Sequence, residues 1–337
     1  MFFALTDDQR EFDGAVRSYL SERFDLAAVR EVFEDATGDG HPASLWKAAA
    51  EQGWLAVTVP EEHDGLGLGL VEAQVIARAL GAGAAPGPWR GTVLAAEAIR
   101  LAGSEEQQAA WLPRLAAGDA VGAFTLRGSA PGTLPAVEYG GVADVVVARS
   151  GAGLVLVTDG VATAQGSYDG TTRLASVQAG AGEALPGATA AVIAELEARA
   201  TVLVAADLAG IAREALSRTV AYDKERSQFG VPIGSFQAIK HALADLHVAV
   251  TLAEHAVLYA AHAVDVALDG ADLAVAVAKA KAGDAAVGVT AAMIQYHGGI
   301  GYTWEHEAHF FYKRAKRLAG QYGDADVQRE RIAALTI

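Results

Sequence analysis

The stretch Arg226-Ser-Gln-Phe-Gly-Val-Pro-Ile-Gly-Ser-Phe-Gln237 joins two long helical patterns in the last third of the sequence. Its Phe229-Gly230 pair predicts a turn between the two helices. A cation at Arg226, an amide at Gln228 and the aromatic face of Phe229 suit a diphosphate with an attached ring system. Taken alone, however, these residue types fit an ordinary helix–loop–helix connection with a surface arginine better.

Apolar residues after this stretch recur at alternating steps of four and three, which is the spacing of one helix in a bundle. They are Ile239, Leu243, Leu246, Val250, Ala253, Val257, Ala260 and Val264. We expect Gly270 to end this helix. A second helix, rich in small apolar residues, is predicted from Ala271 to Tyr296, and a third from Thr303 to Leu318.

The beginning of the sequence is also helical in pattern, with Thr6 as the expected cap of the first helix and Gly81 as the expected end of a later one. Between residues 121 and 190 the pattern changes to short β-branched runs such as Val145-Val-Val147. Gly, Pro and Asp separate these runs, which is typical of a small antiparallel β domain. The sequence therefore predicts a mostly α protein with a small β domain. The predicted domains are an N-terminal helical domain (1–118), a middle β domain (119–190) and a C-terminal helical bundle (191–337).

Composition limits the possible classes of function. The chain has 337 residues, of which 52% are hydrophobic and 20% charged, as in globular proteins with a sizeable core. Its net charge of -15 argues against nucleic-acid binding, and the absence of cysteine excludes disulfides, thiol nucleophiles and cysteine-ligated metals. Neither a secretory signal nor an apolar stretch of bilayer length is recognisable, so we expect a cytoplasmic protein.

A second segment, Gln295-Tyr-His-Gly-Gly-Ile-Gly-Tyr302, is rich in glycine. Glycines allow the backbone to approach a ligand closely and to donate amide hydrogens to phosphate oxygens. The alternative interpretation is a helix end followed by a turn. The segment does not follow a strand of a βαβ unit, so a dinucleotide-binding Rossmann motif is excluded.

Taken together, the two segments resemble motifs of the acyl-CoA dehydrogenase family. The family carries Arg-x-Gln-Phe-Gly-x-Pro-Ile followed by Phe-Gln, present here from Arg226 to Gln237, and Gln-x-x-Gly-Gly-x-Gly-Tyr, present from Gln295 to Tyr302. The resemblance covers the whole chain. It implies an acyl-CoA dehydrogenase-like fold that ends in a four-helix bundle, and FAD-dependent α,β-dehydrogenation of an acyl-CoA thioester.

The resemblance also implies which residues bind the cofactor. In the family, residues of these two motifs come from a neighbouring subunit and hold the pyrophosphate and adenosine half of FAD, which is thus shared across the subunit interface. The corresponding residues here are Arg226, Gln228, Phe229, Gln295, Gly298 and Gly299. In the β domain the family usually has Thr-Glu-Pro followed by Gly-Ser-Asp, whereas this sequence keeps Thr125 and lacks the acidic residues.

The family's reaction needs a carboxylate base, and here the catalytic residue stays unassigned. The base usually lies in a Tyr-Glu-Gly-Thr stretch, where this chain has Gly323, with Asp324 one residue away. Some members place it instead at the start of the first bundle helix, where this chain has Ala200 and Thr201. The charged residues nearby, Glu195, Glu197 and Arg199, are out of register and are expected to form a solvated helix start.

Three hypotheses follow. In the first, the chain is a subunit of a heteromeric acyl-CoA dehydrogenase, and a homologous partner subunit supplies the glutamate. This arrangement resembles the heterotetrameric enzymes of actinobacteria, some of which act on steroid side-chain thioesters in lipid or steroid catabolism. The second is a homo-oligomeric dehydrogenase with an unusual base such as Asp324, and the third is a flavin-free helical scaffold.

Two further clusters have ordinary interpretations. His306 and His309 have helical metal-binding spacing but no third ligand in reach, so we predict no metal site. A basic helix follows them. It is either a further similarity to the heteromeric members of the family or an ordinary solvated helix face. Its basic residues are Lys313, Arg314, Lys316 and Arg317.

Overall fold

The computed structural model describes residues 4–337, and this part of the chain contains eleven α-helices. They are α1 (Asp7–Arg23), α2 (Leu26–Glu34), α3 (Ala43–Glu51), α4 (Leu70–Ala82), α5 (Trp89–Ala102), α6 (Glu105–Ala116), α7 (Ala190–Glu225), α8 (Gln237–Asp265), α9 (Ala271–Tyr296), α10 (Ala308–Ala319) and α11 (Ala325–Thr336). No helix among residues 4–337 is long and apolar enough to span a membrane.

The strands follow the first six helices, apart from one short hairpin near the end of the chain. They are β1 (Gly122–Thr125), β2 (Gly132–Glu138), β3 (Val145–Ser150), β4 (Gly153–Val157), β5 (Val161–Gln165), β6 (Leu174–Ala179), β7 (Glu183–Ala184), β8 (Ser227–Gln228) and β9 (Val231–Pro232). The order of helices, small sheets and helices confirms the predicted fold class.

The described chain divides into two compact units. The helical unit contains the residues up to Arg30 together with Gln74–Ala85 and Thr201–Ile337, and the sheet unit contains Glu31–Ala73 and Pro86–Ala200. The division into three domains along the chain, at residues 118 and 190, stays a prediction.

The sheet unit holds two small sheets with strand orders β1-β3-β4-β7 and β2-β6-β5. Neighbouring strands are antiparallel except for β1 and β3, which run parallel with Gly122 opposite Val145. The apolar run that begins β3 is buried, as expected for a strand covered on both faces. Val146, Val155 and Val177 belong to the shared core of the sheets, whereas β5 is exposed along its length.

In the helical unit, α8 packs against α9, and α9 also packs against α10 and α11. Small residues on many faces of α9 allow this close approach, and Ala278, Ala282 and Ala286 are fully buried. The apolar residues of α8 are buried from Val250 onward, as the spacing predicts. The first three residues of that series, Ile239, Leu243 and Leu246, are only half-buried.

The first helix begins as predicted. The Thr6 hydroxyl accepts from the Gln9 amide at 3.2 Å, and the Gln9 side chain accepts from the Thr6 amide at 2.9 Å. This reciprocal capping box satisfies two amides that have no partner inside the helix, and Asp7 and Asp8 add negative charge at its positive end.

Helix α4 ends at Ala82, one residue after the predicted end at Gly81. A Cβ on Gly81 would be 2.2 Å from the Asp207 carbonyl oxygen, so this glycine permits close packing on α7. Two other predicted helix boundaries are wrong. Helix α8 ends at Asp265, and Gly270, with φ +84, precedes α9 instead. Helix α10 begins at Ala308, since Ile300–Tyr302 forms a 3-10 turn and residues 303–307 continue the connection.

Candidate functional site

The junction between α7 and α8 is a tight hairpin. Strands β8 and β9 pair with Gln228 opposite Val231, which leaves Phe229 and Gly230 as the two loop residues. Both have positive φ, +54 and +80. Two positive φ values in a two-residue loop are typical of a type I′ turn, which is unusual for phenylalanine because its Cβ disfavours that backbone region.

The junction presents its side chains outward. Arg226, Gln228 and Phe229 are all exposed, and Phe229 is 92% exposed, with its ring edge-on to the Phe236 ring at a centroid distance of 6.3 Å. Within residues 4–337, the guanidinium of Arg226 has no ion-pair partner among the observed salt bridges. A strained, exposed aromatic beside a free cation indicates a binding surface.

The second predicted segment lies where α9 ends. Gln295 is in the last turn of α9 and is exposed. Gly298 has φ +63, and a Cβ placed on Gly298 or on Gly299 would meet no atom within 4 Å. The two glycines therefore leave open space beside their backbone. A ligand could approach the main chain closely there.

A ring contact brings the two segments to the same end of the bundle. The Tyr222 ring stacks on the His297 ring with centroids 4.3 Å apart, and Tyr222 belongs to the last turn of α7 while His297 follows α9. Burial lowers the pKa of His297, so that its ring is neutral against Tyr222 at neutral pH. Sequence reasoning missed this contact because the two residues are 75 positions apart, and neither has a local signal of the pairing.

The backbone at the position of the family's usual base disfavours a glutamate. Gly323 has φ +89, and a Cβ there would lie 2.8 Å from Cγ1 of Val327. The neighbouring Asp324 caps α11, and its carboxylate accepts from the amides of Asp326 and Val327 at 3.1 and 3.0 Å. Asp324 is thus an exposed helix cap.

The alternative base position is apolar. Ala200 and Thr201 are buried inside α7. The expected solvated helix start is wrong for Arg199, which is buried and lies 3.1 Å from Glu97 and 3.0 Å from Glu195. A buried guanidinium with two carboxylates is a structural network, since burial of a charge requires such pairing.

A buried lysine fixes the loop that contains Gly323. The Lys279 ammonium, on α9, donates to the carbonyl oxygens of Ala319 and Gly323 at 2.8 and 3.0 Å. Burial lowers its pKa to about 8, and the nearby Asp324 opposes this shift. The lysine therefore ties the end of α10 to the loop before α11. The sequence does not single out this lysine, because Lys281 lies two positions away in the same helix of small residues.

The histidines and the basic helix lie in the same unit. The His306 ring is 4.5 Å from the His297 ring, and His309 packs edge-on against Trp304. Residues 4–337 contain no group of three potential metal ligands. In the basic helix, a solvated face is the wrong interpretation for Arg314, which is buried and paired with Asp207 at 2.7 Å.

Comparison with known proteins identifies the family. Residues 6–119 match the acyl-CoA dehydrogenase N-terminal domain and residues 191–336 match the acyl-CoA dehydrogenase C-terminal domain. Acyl-CoA dehydrogenase IpdE2 of Mycobacterium tuberculosis is 38% identical over 304 residues, which are 89% of this chain and 88% of that protein.

Solved structures of similar fold agree with this family assignment. The ChsE4-ChsE5 complex from Mycobacterium tuberculosis contains a chain with a TM-score of 0.90 and 27% identity, covering 99% of this chain and 98% of that one. A variant of the steroid ACAD Tcur3481-Tcur3483 has a TM-score of 0.89 and 26% identity, with coverage of 98% and 97%. The protein described here belongs to the acyl-CoA dehydrogenase family.

Proposed function

We propose that this chain is one subunit of a heteromeric, FAD-dependent acyl-CoA dehydrogenase whose partner subunit supplies the catalytic glutamate. The observation that carries the proposal is a contrast between the positions expected to bind the cofactor and the positions expected to hold the base. The α7–α8 junction and the end of α9 are exposed and open, whereas both positions expected for a base lack a usable carboxylate.

The residues present fit the pyrophosphate and adenosine half of FAD. Arg226 offers an exposed guanidinium without an ion-pair partner in the described chain, which suits bidentate binding of a phosphate. Gln228 and Gln295 add amide donors, and Phe229 adds an exposed aromatic face. Gly298 and Gly299 allow the backbone to approach the phosphates, since no atom lies within 4 Å of their missing Cβ positions.

The chemistry of the complex then divides between two chains. FAD, when bound, accepts a hydride from the β-carbon of the acyl-CoA thioester. This chain positions the cofactor through Arg226, Gln228 and the Gly298-Gly299 turn. A carboxylate within hydrogen-bond distance of the α-carbon must remove the α-proton, and the described chain offers no such group at Gly323 or Ala200.

The comparisons support a paired assembly and a steroid-derived substrate. One structural relative is a complex of two named subunits, ChsE4 and ChsE5, and another is a steroid ACAD with two named components. We therefore propose that the substrate is the CoA thioester of a steroid side chain or of a related lipid.

Co-expression with a second acyl-CoA dehydrogenase subunit from the same genome tests the proposal. We expect flavin absorbance and dehydrogenation of a steroid-derived acyl-CoA only in the mixed complex. Turnover by the lone chain would contradict the heteromeric assignment. A colourless mixed complex would instead favour the flavin-free scaffold.

The cofactor residues have their own test in the same complex. Arg226→Ala should weaken retention of FAD by roughly 10- to 100-fold, because it removes charge-assisted hydrogen bonds to phosphate. Arg329→Ala is the matched control, since Arg329 is an exposed arginine of α11 that pairs with Asp326 at 2.7 Å. Equal flavin content in both variants would remove Arg226 from the site.

A further inference from the structure

A groove runs between α7 and α8, next to the junction described above, and encloses about 590 Å³. Its walls include the apolar side chains of Leu216, Val220 and Leu243 together with Ala244. We call it the α7–α8 groove. An alkyl chain fits such walls, because burial of methylene groups against apolar side chains is favourable.

The α7–α8 groove also contains a buried carboxylate. Asp223 lines it and is only 1% exposed. Within residues 4–337, neither carboxylate oxygen of Asp223 has a hydrogen-bond partner. Burial raises its pKa to about 6, so the carboxylate is charged at neutral pH and no donor stabilises it. An unpaired buried charge is strongly unfavourable, and natural proteins nearly always pair such groups.

The cations around the α7–α8 groove do not provide that partner. Arg213 is engaged by Glu254, which accepts from its Nε at 3.0 Å and from a second guanidinium nitrogen. Lys224, Lys240 and His247 also line the groove, but all three are exposed, where water and salt screen their charges. The fixed charge inside the groove is therefore negative.

We propose that the α7–α8 groove receives an arginine or lysine side chain of a second acyl-CoA dehydrogenase subunit, which pairs with Asp223. The inference rests on the proposed assembly of two subunits. The alkyl stem of the incoming side chain lies along Leu216, Val220 and Leu243. Its N–H groups donate to the two free carboxylate oxygens.

The position of the α7–α8 groove supports this occupant. Gly234, in the junction that carries Arg226 and Phe229, lines the groove and packs on Asp223, since a Cβ on Gly234 would be 2.9 Å from the Asp223 carbonyl oxygen. The groove is thus continuous with the surface that we propose contacts the partner's flavin. A subunit that covers the exposed Phe229 also covers the mouth of the groove.

The test compares variants in the co-expressed complex, with the second acyl-CoA dehydrogenase subunit itself as the probe. Asp223→Asn keeps the shape of the side chain and removes its charge. We expect it to raise the dissociation constant of the two subunits at least about 30-fold, measured by mass photometry on dilution. Lys240→Ala, on the rim of the same groove, is the control and should change that constant less than about 5-fold.

A second measurement separates assembly from folding. In the lone chain, Asp223→Asn should raise Tm, because it removes an unpaired buried charge, while the same substitution weakens the complex. An Asp223→Asn complex as tight as the wild type would overturn the inference. So would a large effect of Lys240→Ala on the Tm of the lone chain, since Lys240 would then be the partner of Asp223.

Flavin content distinguishes this inference from the proposed function. If the wild-type complex holds flavin and Asp223→Asn assembles equally well, only the inference fails. If assembly depends on Asp223 but no variant holds flavin, the inference stands and the cofactor assignment fails. If the chain binds no second subunit at all, both are wrong.

Discussion

At the residue scale, the conformation of Gly323 and the role of Asp324 bear on whether this chain has a catalytic base of its own. Gly323 is locked in a left-handed conformation that a glutamate would strain, and Lys279 binds its carbonyl oxygen at 3.0 Å. Asp324, beside it, is used as the cap of α11. In this loop, Lys279 holds the backbone of Gly323, and the carboxylate of Asp324 is used to cap the next helix.

The role of Asp324 can be tested by separating its charge from its capping oxygen. Asp324→Ala should lower the free energy of unfolding by about 1 kcal/mol, the usual effect of losing a cap, without changing the turnover of the assembled enzyme. Asp324→Ser keeps a capping hydroxyl and should restore most of the stability. Chemical denaturation and steady-state kinetics measure the two effects. Loss of turnover in both variants would revive the hypothesis of an unusual base.

Asp223 makes the stability of the lone chain depend on pH. Its folded pKa, about 6, lies above the ordinary value of 3.8, so the folded chain keeps a proton that the unfolded chain releases. Stability is therefore lost as pH rises from about 4 to about 6, and the full penalty remains above that range. The groups that line the same groove are Arg213, Lys224, Lys240 and His247.

Asp223→Asn should remove this dependence. We expect the variant to be more stable than the wild type at pH 8 and equal to it near about pH 4, because an amide does not titrate. Thermal unfolding of the lone chain at several pH values measures the difference. A variant whose advantage is the same at every pH would show that Asp223 keeps an ordinary pKa.

At the scale of the element, one buried ion pair fixes α10 against α7. Arg314 donates to both carboxylate oxygens of Asp207, at 3.0 and 2.7 Å, and to the Ala85 carbonyl oxygen at 2.9 Å. The side chains are 7% and 4% exposed. Such a pair stabilises a unique packing only while both partners are present, because either charge alone would be buried without compensation.

Arg314→Met should therefore destabilise the chain by about 3 to 5 kcal/mol, since it leaves the Asp207 carboxylate buried and unpaired. Arg10→Ala is the control, because Arg10 forms an exposed pair with Asp7 and should change stability by less than about 1 kcal/mol. Denaturant unfolding compares the two. A small effect of Arg314→Met would mean that Asp207 is protonated or hydrated in the fold.

At the scale of the whole molecule, three large apolar side chains are exposed where we propose that another subunit binds. Phe229, Tyr302 and Trp304 are 92%, 88% and 68% exposed, and all three lie on the connections that carry or follow the proposed cofactor residues. Large aromatic side chains dominate the energetics of protein interfaces. Their concentration around the two motifs agrees with a chain that functions in an assembly.

Phe229→Asp should prevent assembly without unfolding the lone chain, because Phe229 is 92% exposed and contributes little to the packing of its own subunit. Val161→Asp is the matched control, being 69% exposed on β5 of the sheet unit. Size-exclusion chromatography of the co-expressed chains and circular dichroism of the lone variants provide the measurements. A Phe229→Asp variant that assembles normally would exclude this aromatic residue from the interface.

Much of the architecture follows from local pattern. The helix–sheet–helix order, the cap at Thr6 and the helix from Ala271 to Tyr296 were predictable, because capping chemistry and hydrophobic period act between residues close in sequence. Glycine was less informative about helix ends. Gly270 precedes α9 and does not end α8, and the close approach of the Asp207 backbone to Gly81 spans 126 positions, so it leaves no local signal.

Residue types and their order were sufficient to predict the Arg226–Gln237 junction, the glycine segment after α9 and the lack of a glutamate at Gly323. Packing of distant segments places Tyr222 against His297 and, within residues 4–337, buries the Asp223 carboxylate without a hydrogen-bond partner. Burial and pairing depend on which side chains arrive from distant segments. The same residue type can therefore be a solvated charge at one position and a buried charge at another, and only the packing of the chain distinguishes the two cases.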